Sequence, residues 1–381
     1  MVVGVFSTAI CAPPGRADGW ANPLVELERL EWRAGDGGDP AVLLQDFLEE
    51  HGLGGEPPAQ TGDTAVALLI GAAGCARIAG TPAGRPSPVP AVPELVAVAV
   101  RRGDAAAAAR TAVAGEWTTS WSDAEHADAV ETVRAAIARG DVYQANVVGH
   151  RSAAHRAAPA DIAAALARLP GATYGGLLTG EGWAVGCASP EQLVRVVGRR
   201  ITTEPVKGTL RVGPGARERL RASEKDRAEH VMIVDLARND LARVAVTGSV
   251  QMESLYDLSE WSGLWHAGST VAAELEPGAT VLDVLRAVAP GGSVTGAPKR
   301  AACSLLASLE PVGRGPAMGA FGLVTPGGLD LGLTIRTVGV DEDRVHLWAG
   351  GGITWGSDAK DEVAEAHAKA GPVMATLRPA L

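Results

Sequence analysis

The sequence predicts a mixed α/β (α+β) protein, on three observations. From about Trp117 onward, long amphipathic helices alternate with short apolar strands. Two of those strands read as a β-hairpin around Gly198-Arg199-Arg200. No unit recurs at a fixed period, which sets solenoids and propellers aside. The 381 residues suffice for one large domain or a large and a small one. Gly35 to Pro40, Gly54 to Gly62 and Ala79 to Pro93 are dense in glycine and proline. Residues 1–116 are therefore expected to form a loop-rich portion packing on a catalytic domain of residues 117–381.

Taken in order, the apolar run Val2 to Cys11 lacks a basic flank and is too short to span a membrane, so it reads as a core strand. Ser122 is a plausible N-cap with Glu125 three residues on, and Val130, Val133 and Ile137 follow at helical spacing until Gly140. The stretch Asp141 to Gly149 is a strand whose period of two puts Gln144 and Asn146 on one face. Taken alone, such a strand is more often half-buried with a solvent face. Ala188 to Val197 reads as a turn feeding a strand. The return through Ile201 to Lys207-Gly208-Thr209 puts Glu191 and Lys207 near the hairpin's two open ends.

Two helices carry aligned acids. In Lys225 to Asp240, Asp226 and Glu229 fall on one face at i, i+3. Near the C-terminus Glu362, Glu365 and Lys369 are spaced i, i+3, i+7, beside an apolar side of Val363, Ala370, Val373 and Met374. Such acids are either solvated or held by a cation, and together they offer the oxygen ligands that magnesium prefers. Pro290 to Lys299 and Ala349 to Ile353 are glycine-rich, able to bring backbone amides to an anion or simply to turn. Neither has the spacing of a P-loop or a dinucleotide fingerprint.

Composition narrows the partners. A net charge of −10 with no long basic stripe argues against nucleic acid, and no segment has the length of a membrane span. Cys11, Cys75, Cys187 and Cys303 show no paired spacing, which argues against zinc and a disulfide framework and fits a reducing cytoplasm.

In this order, Gly140 to Asn146, Ser189-Pro190-Glu191, Pro205 to Thr209, Lys225 to Asp240, His266 to Thr270, Pro290 to Lys299, Ile335-Arg336-Thr337, Gly350 to Ile353 and Glu362 to Lys369 resemble the chorismate-utilising enzymes. That family includes aminodeoxychorismate, anthranilate, isochorismate and salicylate synthases. The resemblance implies two large antiparallel sheets packed across each other, with helices outside and the site in a central cleft. It implies Mg²⁺, with Glu229 and Glu365 as ligands and Asp226 and Glu362 supporting through water. It also implies that Arg336, Lys369 and the amides of Gly350, Gly351 and Gly352 hold the carboxylates of chorismate, with Gln144, Gly208 and Thr209 lining the substrate.

Two positions distinguish the members. Relatives acting at C2 typically have alanine where Lys207 stands, whereas the aminodeoxychorismate branch uses a lysine as covalent nucleophile. Isochorismate and salicylate synthases have a lysine base where this chain has Gln144, which cannot take a proton. The resemblance therefore implies amination of chorismate at C4, as in aminodeoxychorismate synthase component I. Lys207 would be the nucleophile, freed of its proton by burial or cationic neighbours, with Glu191 as general acid and base and His266 polarising the C4 hydroxyl. The chain has no glutaminase nucleophile elbow, so ammonia is expected from a separate glutamine amidotransferase subunit. Departures from the family pattern are Glu204, where arginine is frequent, Ala317, where tyrosine is common, and Ala366 in place of threonine. The alternatives are amination at C2, isochorismate or salicylate formation, and a chorismate-binding paralogue without turnover.

Overall fold

The computed structural model describes residues 9–11, 24–55, 63–102, 112–166, 169, 171–261 and 264–378. Within them the N-terminal part runs β1 (Ala9–Cys11), β2 (Leu24–Trp32), α1 (Pro40–Glu50), β3 (Thr64–Ile70), α2 (Ala72–Ala79), β4 (Leu95–Arg102) and β5 (Ala114–Thr119). Next come α3 (Asp123–Ala138), β6 (Gln144–His155), α4 (Pro159–Leu166), β7 (Tyr174–Gly180), β8 (Trp183–Ser189), β9 (Gln192–Val197), β10 (Arg200–Glu204) and β11 (Val206–Arg211). They are followed by α5 (Ala216–Ala222), α6 (Glu224–Ala242), β12 (Gln251–Trp261), β13 (Leu264–Glu274), α7 (Val281–Val288) and β14 (Gly296–Ala297). The last are α8 (Lys299–Leu309), β15 (Ala320–Thr325), β16 (Gly328–Leu333), β17 (Thr337–Val340), β18 (Arg344–Ile353) and α9 (Ala359–Thr376).

The strands form two large antiparallel sheets. The first has the order β1-β7-β8-β17-β18-β6-β14, with β5 also on β6; the second has the order β11-β13-β10-β9-β16-β15-β3-β4-β2, with β12 also on β13. The principal core lies between them, since Leu178, Trp183 and Val185 of the first sheet join Val194, Phe321 and Leu331 of the second in one buried cluster. Helices α4 and α9 cover the first sheet through Ile162, Leu166, Ala370 and Val373, while α3 and α8 pack on β6 through Val130, Val133, Ala302 and Leu306.

The N-terminal third is more regular than its glycine and proline content suggested. β2, β3 and β4 are full strands of the second sheet, and β3 pairs with β15. The glycine- and proline-rich stretches are the connections; Val66 to Ile70 and Leu95 to Val100 are continuous apolar runs with no exposed surface, as befits strands covered on both faces. Of the run Val2 to Cys11, the strand Ala9–Cys11 pairs with β7 and the rest lies outside the described residues. No helix among the described residues is long and apolar enough to cross a membrane.

Candidate active site

Local chemistry sets each site-bearing element. Ser122 and Glu125 close a reciprocal capping box at the start of α3, a device worth about 1 kcal/mol, and α3 ends just before β6. β6 is buried on both faces along nearly its whole length, because β18 and β5 flank it and helices cover it. The half-buried strand with a solvent face is therefore replaced by a fully enclosed one, and Gln144 and Asn146 are interior amides. Gln144 Oε1 is buried without a hydrogen-bond partner, a cost tolerated where a ligand supplies the donor.

β9 and β10 form the expected hairpin, Val197 opposite Arg200, but it ends at Gln192 opposite Glu204. Pro205 has no N–H to continue the ladder, and the chain steps onto β13 as β11, where Thr209 lies opposite His266. Glu191 thus stands at one open end of the hairpin and Lys207 just past the other. Lys207 Nζ lies 3.1 Å from Glu229 Oε2. An alanine methyl at Gly352 would sit 3.2 Å from Lys207 Nζ and 3.9 Å from Gln144 Oε1, so these three converge. Gly208 has φ +88°, and a methyl there would meet Asp226 Cβ at 3.4 Å. The Thr209 side chain lies outside the described atoms.

The buried stripe of α6 holds Glu229, His230, Ile233, Val234, Asp240 and Leu241, so helical spacing that should be apolar carries polar groups. On α9, Glu362 is buried, while Glu365 and Lys369 are exposed at the rim. Lys369 Nζ lies 2.6 Å from Glu365 and donates to the Gly350 carbonyl at 3.0 Å. Thr354 Oγ1 reaches Glu229 Oε1 at 3.4 Å, and Ser357 Oγ donates to Glu362 Oε1 at 2.6 Å.

The electrostatics around Lys207 differ from expectation. Burial lowers its affinity for a proton, but Glu229, Glu365 and Glu362 outweigh burial and hold its pKa above the ordinary lysine value. Burial thus favours the neutral amine, as expected, but in the absence of a cationic neighbour the three carboxylates offset it. Glu191 is the reverse case. Burial drives its pKa up to about 7, with the Ser293 hydroxyl, Lys207, Lys369 and the Val206 amide only partly opposing. Ser293 Oγ donates to Glu191 Oε1 at 2.8 Å, and a cavity of about 30 Å³ beside both has room for a water.

Arg336 is half-buried with φ +47°, a left-handed conformation costly for a side chain with a Cβ. Its guanidinium has no ion pair among the described residues, and burial lowers its pKa. His266 is buried on β13 near β11, and Ala317 and Ala366 are buried without a polar group. Glu204 closes β10, partly exposed.

The donor set fits a magnesium ion. Among the described residues no three acids, histidines or cysteines converge tightly enough to bind a metal by themselves. Magnesium does not need that, since it retains several waters and takes one or two carboxylates. Glu229, Glu362 and Glu365 lie close enough to act together on Lys207, and a divalent cation would offset such a gathering of carboxylates before an anion could enter.

The residues missed in the sequence are His230, Ser293, Thr354, Ser357 and the pair Glu310 and Arg314. His230 Nε2 and Ser269 Oγ are 2.5 Å apart. Its position on the stripe of Ile233 and Val234 was the available signal; the others have none without the fold.

Glu229, Glu362 and Glu365, with Lys207 and Lys369, thus gather beside the glycine-lined end of β18. The family described as chorismate binding enzyme matches residues 89–375. Anthranilate synthase component 1 of Streptomyces coelicolor is 39% identical over 270 residues, covering 69% of this chain and 53% of that protein. Aminodeoxychorismate synthase component 1 of Salmonella typhimurium is 34% identical over 265 residues, covering 68% and 58%. The crystal structure of anthranilate synthase component I from Streptococcus pneumoniae superposes with TM-score 0.78 at 22% identity, covering 98% of this chain and 94% of that one. The chain belongs to the chorismate-binding enzyme family. It spans about half the length of the curated relatives it matches.

Proposed function

We propose that the protein aminates chorismate at C4, giving 4-amino-4-deoxychorismate, in the manner of an aminodeoxychorismate synthase component I. The observation that carries the reading is Lys207, whose Nζ pairs with Glu229 and lies beside Gly352 and Gln144 among the residues expected to line the substrate. Arg336, unpaired and partly desolvated, and Lys369 beside Gly350 suit the two carboxylates of chorismate. Mg²⁺, held by Glu229 and Glu365 with Asp226 and Glu362 through water, would supply charge against the ring carboxylate.

Lys207 reaches its neutral form once the three carboxylates around it are engaged elsewhere. Its lone pair then forms a bond to C2, the ring double bonds shift, and the C4–O bond breaks with the proton of Glu191 going to the departing hydroxyl. Ammonia next attacks C4 and the lysine nitrogen leaves C2. Glu191 suits the acid role because burial raises its pKa to about 7, so that a sizeable fraction of its carboxyl carries a proton at neutral pH. His266 would polarise the C4 hydroxyl, and Gln144, unable to accept a proton, leaves water unactivated. Ammonia would come from a separate glutamine amidotransferase subunit, and the setting would be cytoplasmic.

Amination at C2 is the second reading, favoured by the identity to anthranilate synthases. Incubating the protein with chorismate, Mg²⁺ and ammonium at alkaline pH, and identifying products by mass spectrometry, separates the two. 4-Amino-4-deoxychorismate that falls to background in Lys207→Ala supports the proposal. Anthranilate or a C2-amino product, or a C4 product untouched by Lys207→Ala, overturns it.

A further inference from the structure

The glycine-rich segment after α7 carries Ser293, and its place in the structure is fixed by a buried charge pair that is not itself among the proposed substrate contacts. Arg314 and Glu310 meet in a two-pronged contact, Nε to Oε2 at 2.8 Å and Nη2 to Oε1 at 2.6 Å, both side chains nearly buried. Both members of the pair also bond to backbone. Arg314 Nη1 donates to the Val294 carbonyl and Nη2 to the Asn146 carbonyl, each at 2.6 Å, while Glu310 Oε1 accepts from the Val148 amide at 3.1 Å. One clamp thus ties the segment bearing Ser293 to the strand bearing Gln144. A further backbone bond, Asn146 N to Thr295 O at 2.8 Å, joins the same two pieces. Beyond this clamp, Ser293 Oγ reaches Glu191 Oε1.

We infer that Ser293, held in place by the Glu310–Arg314 pair, is the positioning residue for Glu191: its hydroxyl occupies Oε1 and so directs the proton-bearing Oε2 toward the substrate. The inference rests on the proposed acid role of Glu191. A carboxyl with two equivalent oxygens can carry its proton on either, and a donor fixed on one of them selects the other. The hydroxyl alone would not suffice, because a mobile loop would let the carboxyl turn. The Arg314 contacts to Val294 and Asn146 remove that freedom, which is a reason to place a charge pair in an interior where hydrophobic packing would be at least as stable.

The charged and titratable groups around Glu191 are Lys207 from β11 and Lys369 from α9, with Asp240 of α6 lining the adjoining cavity. Of the hydrogen bonds to Glu191, that from Ser293 is a side-chain one and can be deleted without touching the lysines. Ser293 is partly exposed, so its replacement tests positioning rather than folding.

The experiment compares Ser293→Ala, Ser293→Thr and Glu191→Gln with wild type, following whichever chorismate product the wild type forms, with pH profiles of kcat and with KM for chorismate. Ser293→Ala is expected to lower kcat about tenfold, as for a misplaced general acid, with KM unchanged. Its alkaline limb should move to higher pH, because a hydrogen bond that favoured the carboxylate is gone, and Ser293→Thr should recover most of kcat. An unchanged kcat and limb in Ser293→Ala, while Glu191→Gln is inactive, overturns the inference and leaves the acid role standing. Full activity in Glu191→Gln overturns both. A Ser293→Ala loss confined to KM, or not recovered by threonine, also overturns the positioning role.

Discussion

A methyl group at Gly351 would test the acid cluster with almost no other disturbance. Its Cβ would lie 2.9 Å from Glu362 Oε2 and 3.5 Å from Glu365 Oε1, with no backbone atom among the nearest contacts. The first distance is shorter than real Cβ contacts allow, so the Glu362 carboxylate must retreat by a few tenths of an ångström. Ser357 holds its other oxygen at 2.6 Å, so the retreat strains that hydrogen bond. Magnesium demands oxygen at about 2.0–2.1 Å in near-ideal octahedral geometry, and disturbing a supporting ligand typically costs about 10–100-fold in affinity. Gly351→Ala should therefore raise the Mg²⁺ concentration for half-maximal turnover by about 10–100-fold. Folding stability should change by no more than about 1 kcal/mol, because only side-chain ends are displaced. Mn²⁺ binding followed by electron paramagnetic resonance gives the affinity without turnover. A folded Gly351→Ala protein that binds Mn²⁺ as tightly as wild type would refute the assignment of this cluster to the metal.

The neighbouring glycines should behave differently. Gly350→Ala places a methyl 1.9 Å from the Val147 carbonyl and should cost about 3 kcal/mol or more, read by urea denaturation, or abolish soluble protein. Gly352→Ala meets the flexible end of Lys207, with Gln144 Oε1 at an ordinary contact distance, and should fold normally while weakening chorismate binding, measured by calorimetry. Chelation of divalent ions should stop turnover reversibly, with Mg²⁺ restoring it. Stability should also depend on pH through Glu94, buried at the start of α2, where burial raises its pKa to about 7 against backbone amides that lower it. Between its ordinary value and about 7 the unfolded chain loses the proton first, so stability falls as pH rises through that window, by about 3 kcal/mol. Denaturation at pH 5 and pH 8 of wild type beside Glu94→Gln isolates this contribution from those of Glu191, His126 and His150: the variant should lose less stability, or gain more, between the two pH values.

Helix starts were legible in the sequence because their signals are local. Ser122 and Glu125 form the box that their spacing announced, and Asp226 with Glu229, or Glu362 with Glu365, share faces because a helix has one period. The hairpin turn at Gly198 was equally local. What escaped was set by distant partners. β6 looked half-exposed because nothing in Gln144 or Asn146 reveals that sheet neighbours and helices cover both faces. The charge state of Lys207 depends on acids on α6 and α9, and Arg314 has meaning only once Val294 and Asn146 are beside it. The regularity of β2 to β4 was hidden because glycine and proline in the connections dominated a composition-based reading.

The pairing of β3 with β15, Ile70 against Ala320, has a consequence for how the molecule is made. Two strands apolar on every face leave the ribosome early, and the partner that completes them follows some 250 residues later. At about 5–20 residues per second, that interval exposes an unpaired sticky edge for many seconds. Closing so long a loop is also entropically expensive and slow. α9, which brings Glu362, Glu365 and Lys369, comes later still, so the acid cluster can be assembled only after every strand of the second sheet's centre has been made. Biogenesis, rather than finished stability, is then the stage at which this fold is most vulnerable to temperature and to crowding by other nascent chains.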